Sequence, residues 1–277
     1  MPEGSSTADR AERFAALHQA GCFVIPNPWD AGTAKLLASV GFTALATTSA
    51  GLAHGLGRPD GEGLVGREET LANAQAIVRA TDLPVAADLE NGFSHDPEGV
   101  AETIWRAAEV GLVGGSIEDA TGDEDRPIYD FDHAVERVAA AAEAAQGLPF
   151  PFMFAARAEN FLHGRPDLDD TIRRLQAFER AGADVLYAPG LPSLEAIRTV
   201  CASVGKPVNV LIGAGGLTLS VAELAAAGVR RVSVGSLLSR AAFGAFAVAA
   251  RELHEQGTIG FAASAMPYAD LQKVMRE

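Results

Sequence analysis

Acidic side chains follow two consecutive apolar segments of this chain, at the points where the segments end. PVAAD ends at Asp88 and is followed closely by Glu90, and VGGSIED carries Glu118 near its end. Like charges held close together are costly unless a cation neutralises them or a proton is shared. Since oxygen ligands favour a hard ion, these residues predict an Mg²⁺ or Mn²⁺ site. Helix caps and rim charges are the structural alternative.

A basic residue close to these acids is suited to holding an anion. Arg157 ends the apolar segment PFMFAAR. Its planar guanidinium can grip a carboxylate or a phosphonate through two parallel hydrogen bonds. The structural alternative for Arg157 is an ion pair with Glu159 or Glu118.

Other candidate residues lie at or just after the ends of further apolar segments. They are Ser49, Ala50 and Gly51 in TTSAG, His54 in the loop that follows, Tyr187 in DVLYAP and Asn209 in PVNVLI. The amides of a small-residue turn at 49–51 can hold an anionic oxygen. No Ser/His/Asp arrangement stands out, which disfavours a triad hydrolase. The glycine-rich ends IGAGG (212–216) and VGS (234–236) resemble the phosphate grip of many barrels and form a competing site.

The elements that must position these residues follow one rhythm, in which a short apolar run, a turn and an amphipathic helix alternate. The eight runs are residues 22–26, 43–49, 84–88, 113–119, 151–157, 184–189, 207–212 and 231–236. Continuous apolar runs are typical of strands buried on both faces, and their alternation with helices implies a parallel sheet. Eight units predict a single (β/α)₈ TIM barrel over residues 1–277, an α/β fold. A doubly wound open sheet is the alternative, but no GxGxxG follows the first run.

The barrel prediction brings the candidate residues together, because active sites of such barrels lie at the C-terminal ends of the strands. An additional helix is predicted before the first strand, at residues 7–20, with residues 1–6 disordered. An extra C-terminal helical segment, from about residue 258 to residue 277, is predicted to pack against another subunit.

The composition restricts the partners of the protein. The formal net charge is −14 and no basic cluster is present, which excludes nucleic acid as an expected partner. No run of about 18 apolar residues occurs, so no membrane span is expected, and the first residues lack an apolar signal core. The two cysteines indicate no disulfide scaffold. A cytoplasmic protein is expected.

With these motifs in place, the chain resembles the isocitrate lyase/phosphoenolpyruvate mutase superfamily along nearly its whole length. The resemblance begins at PNPWDAGTAKLLASVGFTALATTSAG and continues through GRPDG, LPVAADLENGF, GGSIEDATG and AARAENF. The most specific motif is DLENGF, which the family often writes as Asp-x-Asp-x-Gly-Phe/Tyr.

The resemblance implies an Mg²⁺-dependent lyase that acts on a small 2-oxo or 2-hydroxy diacid through a pyruvate-type enolate. Asp88 would be the principal metal ligand, with Glu90, Glu118 and Asp60 completing the shell through water. Ser49, Ala50 and Gly51 would bind substrate oxygens, and Arg157 the carboxylate. Our own hypothesis for the acid that protonates the enolate is Tyr187, His54 or a metal-bound water. A homo-oligomer, dimer or tetramer, is also implied.

Two departures from the family pattern keep other functions open. The stretch ATGDEDRPIYDFD lacks the lysine of the mutases and the cysteine of the lyases. Decarboxylation of a 2-oxo diacid tolerates this loss, because the leaving group needs no protein acid. The alternatives are phosphonomutase or phosphonopyruvate hydrolase chemistry, a non-catalytic barrel that binds a dicarboxylate, and a sugar-phosphate enzyme that uses the glycine loops.

Overall fold

Eight parallel strands form one sheet in the computed structural model, which describes residues 5–213 and 217–276. The strands are β1 (Phe23–Ile25), β2 (Leu45–Ala46), β3 (Val85–Asp88), β4 (Gly114–Glu118), β5 (Met153–Arg157), β6 (Val185–Tyr187), β7 (Val208–Leu211) and β8 (Arg231–Ser233). Their order is β1-β8-β7-β6-β5-β4-β3-β2. The predicted (β/α)₈ barrel is confirmed, and each strand lies within its predicted run.

The described residues also form eleven α-helices. These are α1 (Thr7–Leu17), α2 (Ala31–Val40), α3 (Ser49–Gly55), α4 (Arg67–Arg79), α5 (Pro97–Glu109), α6 (Phe131–Gln146), α7 (Leu168–Arg180), α8 (Leu194–Ser203), α9 (Val221–Ala226), α10 (Leu237–Gln256) and α11 (Tyr268–Arg276). A 3₁₀ helix covers Gly260–Ser264. None of the described helices is long and apolar enough to cross a membrane.

The barrel closes between β1 and β2 through side-chain and backbone contacts rather than through paired strand residues. The Ala46 amide donates to the Pro26 carbonyl at 3.1 Å. Asn27 is buried, and its Nδ2 donates to the Thr47 carbonyl at 2.9 Å. Its Oδ1 accepts from the amide of Val234, at 3.0 Å, just after β8. Asn27 therefore joins the two edges of the sheet at the C-terminal end of the barrel.

Alternate strand residues point to opposite faces, which separates two apolar layers. The larger layer packs the outer faces of the strands against the helices, and Leu45, Ile117 and Val232 belong to it. The smaller layer lies inside the barrel at its N-terminal end, where Phe14 of α1 packs with Ile25 and other inner residues. The helix α1 thus closes the bottom of the barrel and leaves its C-terminal mouth for chemistry.

Helices form near both ends of the chain and directly after β2. Of the predicted disordered residues 1–6, residues 1–4 lie outside the described part, and Ser6 caps α1 through a hydrogen bond from the Asp9 amide. The C-terminal segment is helical, and Lys35 of α2 donates to the Met275 carbonyl of α11. The loop prediction after β2 was wrong, because Thr48 caps a short helix, α3, by accepting from the Gly51 amide at 3.2 Å.

Candidate active site

Asp88 ends β3 and is the point at which three elements meet. Its Oδ1 accepts from Arg157 Nη1 at 3.0 Å, and its Oδ2 accepts from the Ser49 amide at 3.3 Å. Its own amide donates to the Thr47 hydroxyl at 3.0 Å. The predicted neighbourhood of Asp88, Arg157 and Ser49 is therefore present at the C-terminal mouth of the barrel.

Arg157, at the end of β5, is held by three carboxylates at once. Besides its contact with Asp88, its Nη2 lies 3.2 Å from Glu118 and its Nε 2.7 Å from Glu159. The side chain is only 12% exposed, so these ion pairs are poorly screened by water. Burial alone would lower the pKa of Arg157, but Glu159, Glu118 and Asp88 raise it well above its usual value. The guanidinium thus makes the ion pairs with Glu159 and Glu118 that were the structural alternative to anion binding by Arg157.

The carboxylates around Arg157 outnumber it, and their pKa values reflect this. Burial and the charges of Asp88 and Asp60 raise the pKa of Glu90 to about 7. The pKa of Glu118 also lies well above its usual value, mainly because of burial, with Arg157 opposing the shift. The site as a whole therefore carries an excess of negative charge that a bound cation would relieve.

The backbone at Glu90 is held in the left-handed region, with φ of 48°. This conformation is uncommon for a residue with a side chain and costs about 1–3 kcal/mol. It aims the Glu90 carbonyl at the Glu118 amide, which donates to it at 2.9 Å. Two of the predicted metal ligands are thus tied together through the backbone.

Asp60 reaches the site from the loop after α3. Although it is exposed at the rim, partial desolvation and the charge of Asp88 raise its pKa, while a hydrogen bond from the Ser49 side chain opposes the shift. It lines both cavities at the mouth, a broad outer one and a smaller inner one. Asp60 is therefore brought next to Asp88, as the resemblance implied.

The inner cavity has a volume of about 270 Å³ and extends from the mouth into the barrel. Of the predicted substrate-binding residues, Ser49, Ala50, Arg157 and Asn209 line it, and so does Tyr187. Burial raises the pKa of Tyr187 to about 12, so its hydroxyl stays protonated near neutral pH. The Arg157 guanidinium lies 4.9 Å from the centre of the Tyr187 ring.

Two predicted residues lie away from this cavity. Gly51 is buried on the other side of α3, where a Cβ atom would come within 3.0 Å of the Trp29 side chain. His54 lies at the end of α3 and lines neither cavity of the mouth, although its charge lowers the pKa of Asp60. In the competing glycine site, residues 214–216 lie outside the described part, and Gly235 and Ser236 line the inner cavity.

A metal site built on Asp88, Glu90, Glu118 and Asp60 fits the charge and the oxygen donors of the mouth. In residues 5–213 and 217–276, however, no group of three or more His, Cys, Asp or Glu side chains stands close enough to hold a metal ion. Arg157 occupies the centre of the cluster instead. Binding of a cation there requires the side chains around Arg157 to rearrange.

Several residues of the site were not selected from the sequence. Glu159 is 1% exposed and completes the ion pairs of Arg157, and its amide donates to Asp119 at 2.8 Å. Arg231 lines the inner cavity from β8. The signal for Arg231 was a charged residue at the start of an apolar run, since charged residues are rarely buried without a partner.

Comparisons with known proteins agree with the barrel fold. The family model described as "Phosphoenolpyruvate phosphomutase" matches residues 14–254. A candidate lyase/mutase of Burkholderia cenocepacia J2315, solved by crystallography, is 57% identical with a TM-score of 0.94, over 96% of this chain and 95% of that one.

Two curated proteins align over most of this chain as well. An uncharacterised protein of Mycobacterium tuberculosis is 32% identical over 94% of both chains. The oxaloacetate decarboxylase of Paraburkholderia xenovorans is 27% identical over 90% of this chain and 81% of that one.

Proposed function

We propose, because this chain belongs to the phosphoenolpyruvate phosphomutase family, that it is an Mg²⁺-dependent lyase for a small 2-oxo or 2-hydroxy diacid. It cleaves a carbon–carbon bond of that acid or decarboxylates it, through a pyruvate-type enolate. The likeness to an oxaloacetate decarboxylase supports the choice of a decarboxylation. Mn²⁺ is the alternative metal.

One observation carries the proposal. Five carboxylates and one guanidinium meet at the mouth of the barrel, above a cavity of about 270 Å³. They belong to Asp60, Asp88, Glu90, Glu118, Glu159 and Arg157. Such an excess of acid at the catalytic end of a barrel suits a divalent cation better than it suits an anion alone.

Asp88, with Glu90, Glu118 and Asp60 through water, would hold the metal. When bound, Mg²⁺ supplies Lewis-acid stabilisation of the negative charge that develops on the oxo oxygen of the substrate. The protein provides the remaining contacts. The Ser49 amide at the start of α3 points into the site and can donate to a substrate oxygen.

The remaining residues position and protonate the substrate. Once the carboxylates turn towards a cation, Arg157 is free to bind a substrate carboxylate with its planar fork. The protonated Tyr187 hydroxyl, which lines the same cavity, donates a proton or a hydrogen bond to the enolate. His54 is a less suitable acid, because it lies outside the cavity.

Phosphorus–carbon chemistry is the second candidate, and the description of the matching family model favours it. It predicts turnover of phosphonopyruvate. The loop from Thr121 to Tyr129 contains no lysine, which counts against the mutase form of this reaction.

The first experiment compares thermal stability with and without Mg²⁺ plus oxalate, a mimic of the pyruvate enolate, in wild type and Asp88→Ala. We expect a rise in Tm of the wild type that is absent from the variant. Turnover of oxaloacetate is then measured with Mg²⁺ and with excess EDTA. Full activity in EDTA would contradict the proposal.

The other outcomes separate the alternatives. A metal-dependent rise in Tm without turnover of any oxo acid identifies a non-catalytic dicarboxylate-binding barrel. Stabilisation by phosphate but not by oxalate directs the search to the loops after β7 and β8. Asp82→Ala serves as a control, because this exposed acid lies in the loop before β3, at the opposite end of the barrel.

We also propose that the chain forms a homo-oligomer. Helix α10 has 20 residues, of which only Ser239 is buried. Its large apolar residues are exposed, including Phe246 at 72% and Val248 at 58%. An exposed apolar face of this kind marks a protein interface. Light scattering of Phe246→Glu is expected to give a smaller particle than the wild type, and an unchanged mass would contradict this interface.

A further inference from the structure

Arg231, the first residue of β8, places a guanidinium inside the barrel. The residue is only 6% exposed, and its Nε donates to Asn209 Oδ1 at 2.9 Å. Asn209 in turn donates to the Ser233 hydroxyl at 3.0 Å. Burial lowers the pKa of Arg231 to about 10, so the side chain is still a cation at neutral pH.

This buried cation lacks a carboxylate partner. In the part of the chain that the structure describes, no Asp or Glu oxygen lies within 4.0 Å of its guanidinium nitrogens. Two other arginines are as buried, and both have partners for several of their guanidinium nitrogens. Arg174 is paired with Asp119 at 3.0 Å and Asp170 at 2.9 Å. Arg137 has no carboxylate partner either, but it donates to the carbonyls of Asn91, Ser94 and His95. An uncompensated buried charge is strongly unfavourable. Among the described residues, Arg231 donates only from Nε, to Asn209, so its two Nη groups are available to an external anion.

The space for such an anion is the inner cavity, because Arg231 lines it together with Asp88 and Ser49. On the side of β2–β4, the lining of the cavity includes the small residues Ala46, Ala86 and Ser116. On the opposite side stand Tyr187, Asn209 and Ser233, all of which can hydrogen-bond to an oxygen anion.

Strand register explains how Arg231 comes to share a site with the acids of the mouth. Glu118, Arg157, Tyr187, Asn209 and Arg231 are register partners across five consecutive strands, β4 to β8. Partners in a parallel sheet point to the same face, here the inside of the barrel. The row begins with Glu118 at the acidic mouth and ends with Arg231, which has no carboxylate partner among the described residues.

We infer that Arg231 binds the second carboxylate of the substrate, the one farther from the carboxylate cluster at the mouth, and thereby selects dicarboxylates over monocarboxylates. The inference rests on the proposed function for the class of ligand and for its orientation. A short diacid would span the cavity, with one end at Asp88 and Ser49 and the other at the fork of Arg231. Two parallel N–H···O hydrogen bonds to one carboxylate favour arginine over lysine here.

The test measures binding of malonate and of acetate, at equal ionic strength and in EDTA, to the wild type, Arg231→Met and Arg231→Lys. We expect malonate to raise the Tm of the wild type more than acetate does. In Arg231→Met this difference disappears, and in Arg231→Lys malonate binding weakens by about tenfold or more, the scale of one charged hydrogen bond. Equal effects of malonate on the wild type and on either variant would overturn the inference.

The stability of the variants without any anion gives an independent readout. Arg231→Met removes a buried cation that has no carboxylate partner but also a hydrogen bond to Asn209, so the two effects oppose each other and its Tm is expected to change little. The matched variant Arg174→Met leaves Asp119 buried and unpaired, and its Tm is expected to fall. A fall in Arg231→Met as large as that in Arg174→Met would show that Arg231 is structural and overturn the inference.

Failure of the inference can be told apart from failure of the proposed function. Malonate binding in EDTA needs neither metal nor turnover. If that binding depends on Arg231 while no oxo acid is turned over, the anion site stands and the proposed reaction is wrong. If Mg²⁺-dependent turnover occurs and malonate binding does not depend on Arg231, the reaction stands and the anion site is wrong.

Discussion

Arg157 Nη1 lies 3.0 Å from Asp88 Oδ1, so the arginine expected to bind substrate holds the acid expected to bind metal. Each of these groups partly neutralises the charge of the other. The site therefore resembles a closed ion-pair network, in which a metal that drew Asp88 away would free Arg157 to bind an anion.

Replacing Arg157 with glutamine is expected to destabilise the metal-free protein by about 3–5 kcal/mol. The reason is that Glu159, whose side chain is 2% exposed, loses its cationic partner and is left among other acids. Urea denaturation in EDTA measures the change. Arg173→Gln is the control, since Arg173 is 62% exposed and its pair with Asp170 contributes about 0–1 kcal/mol. Similar losses in the two variants would contradict the central role of Arg157.

Gly51 is expected to tolerate no side chain. A Cβ atom there would lie 2.5 Å from Thr48 Cγ2 and 3.0 Å from Trp29 Cβ, so Gly51→Ala should cost about 1–3 kcal/mol and displace the Ser49 amide. Gly55→Ala, in the same helix, meets only Trp29 Cδ1 at 3.9 Å and should be neutral or slightly stabilising. Thermal denaturation and oxalate binding of the pair test this, and equal behaviour would show that α3 is not packed as described.

Tyr187→Phe is expected to keep the fold and lose activity. The ring stays above Arg157, because the substitution removes only the hydroxyl group. If the hydroxyl protonates the enolate, kcat should fall by about 10²-fold or more. Steady-state kinetics with Tyr268→Phe, at a 79% exposed position, as the control measure the effect. Undiminished kcat in Tyr187→Phe would assign the proton to another group.

His18 should make stability depend on pH. Burial and the charge of Arg231 lower its pKa to about 3, against about 6.5 in the unfolded chain. Between these values the unfolded state binds the extra proton, so the free energy of unfolding rises with pH and levels off above about pH 6.5. From about pH 5 to about pH 7.5 the wild type should gain about 2 kcal/mol from this residue.

The variant His18→Asn is expected to lose this dependence, because asparagine does not titrate. Its Nδ2 can still donate to the Phe14 carbonyl, which lies 2.8 Å from His18 Nδ1. Urea denaturation at the two pH values measures the difference, with exposed His254→Asn as the control. An unchanged slope in His18→Asn would assign the pH dependence to other groups.

The sequence predicted the strands well, because buried parallel strands are continuous apolar runs and their C-terminal ends meet at one edge. Asp88 and Glu118 could be found this way. The helix α3 could not, since SAGLAHG has no helical periodicity and depends on the cap at Thr48. The three ion pairs of Arg157 also required the structure, because they depend on which side chains share the inner face.

The row of register partners could not be read from the sequence either. It depends on the stagger between strands, which decides that Asn209 stands beside both Tyr187 and Arg231. Local patterns fix where a strand lies and which residues alternate, but not which residues of neighbouring strands come level with one another.

The closure of the barrel at Asn27 has a consequence for its motions. Strands β4 and β5 are joined along five register pairs, whereas the edge strands β1 and β2 meet through the Ala46–Pro26 hydrogen bond and the Asn27 side chain. Motions that separate strands of the barrel are therefore expected to cost the least free energy between β1 and β2. The C-terminal end of this β1–β2 contact lies beneath Ser49 and Asp60. Fluctuations that widen the mouth are therefore expected to move the start of α3 first. The β4–β5 side of the barrel, with Glu118 and Arg157, is expected to move least.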